Sequence, residues 1–263
     1  MTDTDQSSTP TCRRGHALTD GNTWRRSNGR TACRTCKREY NSAYYAANRG
    51  RVLRQKSEYH ARNRDRKREY NAAYQRDARQ GALDAYGRSC ACCGESTERF
   101  LTIDHTNGDG AEHRNELRGS GGAVYLWLRR EGYPTGFQTL CTSCNAGRHI
   151  NGGACPHTAP VTPPQSANQR WKRALKAEAV GQYGGACACC GEAELTFLCI
   201  DHIEGGGNQH RAELFGDRRI ASHRFRSWLR AQGWPPGHQV LCFNCNDGKH
   251  FNGGTCPHEE EGR

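Results

Sequence analysis

An α+β fold made of small zinc-stapled modules is predicted, with two strand–strand–helix domains in tandem behind a zinc knuckle and a long basic helix. Three observations predict it. The 263-residue chain holds 16 cysteines, many of them in close pairs; residues 85–158 recur at 182–259; and a proline-free basic run precedes both copies. Small units poor in Leu, Ile, Val and Phe seldom fold on an apolar core alone and are commonly stapled by metal or disulfides. In a reducing compartment, Cys-x-x-Cys pairs read as zinc ligands. Residues 1–11 are polar with no signal-like run, and nothing later approaches a membrane span, so a cytoplasmic protein without membrane attachment is expected. The formal charge of +11 favours a polyanionic partner, most simply nucleic acid.

Residues 1–11 are expected to form a disordered tail. Residues 12–36 bring Cys12 and His16 opposite Cys33 and Cys36, a set of three cysteines and one histidine suited to tetrahedral zinc. Arg13, Arg14, Arg25, Arg26, Arg30 and Arg34 crowd this loop, which fits either a DNA-touching knuckle or a clip that caps the chain.

Residues 37–84 are a different material. Between Lys37 and Arg79, thirteen Lys and Arg stand against five acids, a surplus of +8 within the total of +11. With no proline, a single glycine between Lys37 and Arg79 (Gly50) and many good helix formers, the stretch predicts one long helix, or two joined near Gly50. Tyr40/Tyr44 and Tyr70/Tyr74 sit four apart and share a face, while aliphatic heptad positions are missing, which argues against a coiled coil. A helix lying along DNA, with Arg62, Arg64, Arg66, Lys67 and Arg68 on phosphates, accounts for this charge better than a merely solvated helix.

The repeat defines a first domain at 85–158 and, after a Pro-rich linker at 159–168, a second at 169–263 that opens on a short basic helix, Gln169–Val180. Within copy one, Cys90 and Cys93 pair with Cys141 and Cys144; within copy two, Cys187 and Cys190 pair with Cys242 and Cys245. Such paired pairs are a strong zinc signal. Cys92 and Cys189 could replace a neighbour as ligand. Cys155-Pro-His157 and Cys256-Pro-His258 also recur, fitting either a contact behind the ligands or an alternative ligand. Phe100-Leu-Thr-Ile and Phe197-Leu-Cys-Ile read as strands that end on Asp-His, with second strands at 137–140 and 238–241. A helix starting near the second cysteine pair would put Asn145 with His149, and Asn246 with His250, on one face. Trp127 and Trp228 read as core anchors. His113-Arg114 and His210-Arg211 fit phosphate clamping and a solvated helix equally well.

The pattern Ile-Asp-His, His-Arg, Gly-x-Pro-x-Gly, Leu-Cys-x-x-Cys-Asn-x-Gly-(Lys/Arg)-His resembles the HNH endonucleases of phages and mobile introns, whose site is the ββα-metal motif. The resemblance covers nearly all of residues 12–258 and implies a metal-dependent DNA endonuclease, acting on duplex or branched DNA in the cytoplasm (the host's, if phage-encoded). His105 and His202 would be the general bases. Asp104 with Asn145, and Asp201 with Asn246, would hold Mg²⁺ or another divalent ion, with His149 and His250 as further ligands beside the structural Zn²⁺ sites. Arg114 and Arg211 would touch DNA. No Asn stands ahead of Leu140 or Leu241, where the family carries its middle Asn, so the resemblance names no group to orient the base. Two sites in one chain would let a monomer act as a covalent pseudo-dimer. The rival class is a zinc protein that binds DNA without cutting it.

Overall fold

The computed structural model describes residues 9–118 and 121–260. Most of the expected tail, residues 1–8, lies outside the described residues, as do 261–263 at the end of the second expected domain. The chain divides into two compact units, Met1–Ala72 and Ala73–Arg263.

In the first unit, β1 (Thr23–Arg25) and β2 (Thr31–Cys33) form an antiparallel hairpin, with Thr23 opposite Cys33. A bridge between Thr11 and Ala17 closes the preceding loop. Directly after β2 begins α1 (Arg34–Tyr86), a helix of 53 residues that passes through Gly50 without a break. Its only buried residues are Ala78, Ala82 and Leu83, all near its end. A helix this polar on every side is held by local pairing rather than by a core. Arg51 donates to Tyr44 Oη at 2.7 Å, and Arg66 donates to Asn63 at 2.7 Å. Tyr40 and Tyr70 are 62% and 66% exposed, so the tyrosine face is largely open to solvent.

The second unit holds both copies. Copy one runs β3 (Leu101–His105), α2 (Gly110–Glu116), α3 (Gly121–Arg130), β4 (Phe137–Cys141) and α4 (Thr142–Ile150). Copy two opens on α5 (Ala167–Gln182), whose start carries a capping box between Ser166 and Gln169. It continues through β5 (Leu198–His202), α6 (Gly207–Phe215), α7 (Ser222–Ala231), β6 (His238–Cys242), α8 (Phe243–Phe251) and α9 (Pro257–Glu260). Each copy has one two-stranded antiparallel sheet, with Leu101 opposite Cys141 and Leu198 opposite Cys242. Each hairpin therefore delivers its last residue, a cysteine, to the start of the following helix. The architecture is α+β with small antiparallel sheets and Cys/His clusters in metal-binding geometry.

Residues 159–168 separate the copies along the chain, yet the copies share one core. Phe100, Leu101 and Leu140 of copy one and Phe197, Leu198 and Leu241 of copy two belong to a single buried cluster. Each copy buries its phenylalanine against the other, while Val124 and Leu128 of copy one join Ala82 in a smaller cluster of their own. Phe100 lies against His258 at 4.8 Å between ring centroids, and Phe197 against His157 at 4.7 Å. At the centre, Ser143 N–H donates to Asn244 Oδ1 at 2.8 Å and Asn244 N–H donates to Ser143 Oγ at 3.1 Å. Ser143 and Asn244 are equivalent positions of the repeat, so a residue meets its own counterpart there, the mark of a two-fold (isologous) contact.

Candidate functional site

Cysteine and histidine atoms converge where the spacing placed them. With Zn–S near 2.3 Å and Zn–N near 2.0 Å, a tetrahedral ion holds its sulfurs about 3.8 Å apart and sulfur to nitrogen about 3.5 Å apart. In the N-terminal module Cys12 Sγ lies 3.6 Å from Cys36 Sγ, and His16 Nδ1 lies 3.6, 3.8 and 3.3 Å from Cys12, Cys33 and Cys36. His16 Nε2 faces Glu39 at 3.2 Å, the arrangement that fixes a ligating imidazole's orientation. In the copies Cys93 and Cys141 are 3.8 Å apart, and Cys190 and Cys242 are 3.7 Å apart. Cys90 with Cys144, and Cys187 with Cys245, complete the two four-cysteine sets. Cys141 and Cys242 also cap α4 and α8, accepting the N–H of Cys144 and Cys245 at 3.4 Å, so the helix start favours the thiolate.

Above these sets each hairpin presents an acid and an imidazole. Asp104 is opposite Gln138 in the register and accepts from its Nε2 at 3.0 Å; Asp201 accepts likewise from Gln239 at 3.0 Å. The same carboxylate oxygen receives a cation from the following helix. Arg148 pairs with Asp104 and also donates to the carbonyls of His105 and Thr106. Lys249 pairs with Asp201 at 2.8 Å and donates to the carbonyls of His202 and Ile203 at 3.0 and 2.7 Å. Asn145 is half-buried and His149 is exposed, one turn apart on α4; Asn246 and His250 hold the same positions on α8.

The ring that meets His105 is that of His113, with Nε2 and Nδ1 2.8 Å apart, and His202 meets His210 at the same distance. One nitrogen of each pair must carry the proton between them. His113 is wedged by Trp127 at 4.3 Å, and His210 by Trp228 at 5.1 Å. On the other side of each of these histidines, His105 and His202, glycine is required by close approach. A Cβ on Gly110 would stand 2.9 Å from His105 Nδ1, and one on Gly207 would stand 2.8 Å from His202 Nδ1. The glycine backbone therefore packs directly against the Nδ1 edge of each ring. Burial lowers the pKa of His105. Burial first, then His238, His210 and Arg211, push His202 down to about 4. His238 stands opposite His202 where copy one has Phe137, which explains the larger shift in copy two.

This difference is measurable. The His202 ring resonance is expected to report a neutral imidazole at pH 5.5, where an ordinary histidine with pKa near 6.5 is mostly protonated. A midpoint at or above 6.5 would contradict this.

Sequence patterns alone left several side chains of the candidate site unassigned. Arg148 and Lys249 stand inside the repeated Gly-(Arg/Lys)-His, and Gln138 and Gln239 recur in the second strand, so retention in both copies was their signal. Arg114 approaches the Gly110 position and Arg211 lies over Phe225 at 5.6 Å. On α1, Arg62, Lys67 and Arg68 are exposed, as are Arg66 and Arg64, the latter paired with Asp65 at 3.2 Å. A cleft of about 610 Å³ in the second unit adds Lys172, Arg173, Lys176, Arg211 and Arg226. Burial lowers Lys176 to about 8. Among the described residues no helix is long and apolar enough to cross a membrane. No family model, no curated protein and no solved structure matches the chain.

Proposed function

We propose that the chain is a metal-dependent DNA endonuclease of the HNH type with one site in each copy. The observation that carries this reading is the repeated placing of a pKa-lowered histidine, buried in copy one and half-buried in copy two, next to a carboxylate at the end of a strand, both beside a helix that carries Asn and His. A histidine that stays neutral at physiological pH can accept a proton from water. If Nε2–H of His105 is donated to His113, Nδ1 is left as the acceptor for the proton of water. His113 and His210 then do the orienting work for which the resemblance named no residue.

The donor set fits a divalent ion: an Asp carboxylate, an Asn carbonyl and an imidazole offer oxygen and nitrogen ligands. Asp104, Asn145 and His149, and Asp201, Asn246 and His250, would hold it. Such an ion polarises a phosphate and stabilises a leaving oxygen. Arg148 and Lys249 balance the carboxylate charge and stand ready to meet a phosphate. The basic cleft, Arg114, Arg211 and the cations of α1 supply the sequence-independent attraction to a DNA backbone.

A non-catalytic zinc protein that binds DNA is the second reading, favoured by the cations already seated on Asp104 and Asp201. Plasmid cleavage with Mg²⁺ against EDTA separates the two. Under the nuclease reading, His105→Ala and His202→Ala each reduce double-strand cutting to nicking. The double variant, or Gly110→Ala with Gly207→Ala, loses cleavage by about 10²-fold or more, an order-of-magnitude figure for a general base. Zinc content and DNA binding stay unchanged. If DNA is bound but never cut by the wild type in any divalent metal, the binder reading stands.

A further inference from the structure

The four-cysteine sets leave three metal-binding side chains of each copy without a task. Cys92, Cys155 and His157 lie outside the first set, yet with Cys144 their ligand atoms all fall within 4.8 Å of one another; Cys189, Cys256, His258 and Cys245 repeat the arrangement. Cys144 therefore belongs to two tetrads, and so does Cys245. We infer that each copy holds two zinc ions joined through one bridging thiolate, Cys144 Sγ in copy one and Cys245 Sγ in copy two.

Counting donors supports this. Two tetrahedra that share a corner need seven ligands, and seven converge in each copy. A single ion takes four. The remaining three would then be an imidazole and two thiols crowded together with no ion to organise them, although Cys155 is only 5% exposed and Cys256 only 2%.

The distances match a second centre. His157 Nδ1 lies 3.3 Å from Cys144 Sγ, 3.8 Å from Cys155 Sγ and 4.0 Å from Cys92 Sγ, around the roughly 3.5 Å of a tetrahedral sulfur–nitrogen edge. In copy two, His258 Nδ1 lies 3.5 Å from Cys245 Sγ.

The back of each imidazole is arranged as for a ligand. His157 Nε2 faces Glu192 at 3.8 Å and His258 Nε2 faces Glu95 at 3.6 Å. A carboxylate behind a ligating histidine fixes its orientation and raises its basicity. Each carboxylate comes from the opposite copy, so the second metal centre ties the two halves together. Charge also closes: six thiolates against two dications leave −2, the same as one ion held by four thiolates, at the start of a helix that favours anions. With these centres filled, Cys199 is the one cysteine outside the five sets.

Native mass spectrometry of the full zinc-loaded chain tests this, after a weak chelator has removed loosely held ions. Five tightly held zinc ions are expected, one in the N-terminal module and two in each copy, against three if each copy holds one. Cys155→Ala with Cys256→Ala is expected to lower the count by two. Substitution of ¹¹³Cd in the unaltered chain gives a readout that no variant can spoil by misfolding. A bridging thiolate splits two pairs of cadmium resonances by metal–metal coupling. Three tightly held metals with uncoupled resonances would overturn the inference.

Discussion

Removal of zinc with a strong chelator is expected to unfold residues 73–263 altogether. Domains are stable by only about 5–15 kcal/mol in total, while a structural zinc site contributes about 10–16 kcal/mol near neutral pH. Loss of even one four-cysteine centre therefore matches or exceeds everything else that holds the fold. Little stands in reserve: hydrophobic residues make up 34% of the chain, and both copies draw on one shared core. The cysteines also sit at structural joints, since Cys141 and Cys242 end a strand and cap the next helix. Near-UV circular dichroism and the cooperative melt should vanish on chelation and return on adding Zn²⁺. A protein shown by metal analysis to be zinc-free, yet melting at its original temperature, would refute this.

Phe100→Ala should be the most damaging single apolar substitution, and it should lessen the cost of a second one. Phe100 is wholly buried across the contact between copies. Its loss is expected to cost about 3–5 kcal/mol, which lowers the melting temperature by about 6–20 °C for a unit of this size. A Cβ on Gly248 would stand 2.5 Å from Phe100 Cε1 and 2.8 Å from Pro257 Cδ. Gly248→Ala gains about 1 kcal/mol of helix propensity but forces atoms into a filled site, at a cost of about 1–3 kcal/mol, so it should destabilise. Once Phe100 is alanine, the ring clash is gone and only the Pro257 contact remains, so Gly248→Ala should cost less than it does in the wild type. Thermal melts of the zinc-loaded double-mutant cycle read this coupling directly. Equal costs in both backgrounds would show that the phenylalanine–glycine contact is not what fits the copies together. Gly147 against Phe197, with a Cβ 2.3 Å from Cε1, offers the same test in mirror image.

Much of this architecture was legible in the residues. The cysteine spacings gave both four-cysteine sets and the N-terminal set, because ligand geometry constrains local sequence tightly. The strands and the helix after the second cysteine pair followed from β-branched runs and from the position of that pair. The contacts between copies were not legible. Glu95 and Glu192 look identical whether they serve their own copy or the other, and a repeat cannot report which. Phe100 reads as an ordinary strand residue until Gly248 is seen opposite its ring. Arg148 and Lys249 were hidden for another reason: a cation on a polar helix normally faces solvent, and only the fold turns these two onto Asp104 and Asp201.

The contact between Ser143 and Asn244 carries a consequence of its own. In a symmetric pair of separate chains, identical residues would meet at that point, and the pair would fall apart on dilution. Here the two side chains differ, each still accepting the other's backbone N–H, and a covalent connection holds them at an effective concentration that dilution cannot lower. The two candidate sites are thus present in strict one-to-one ratio at any expression level. Each half has become free to lose the ability to stand alone, and free to specialise, as the extra His238 beside His202 already illustrates.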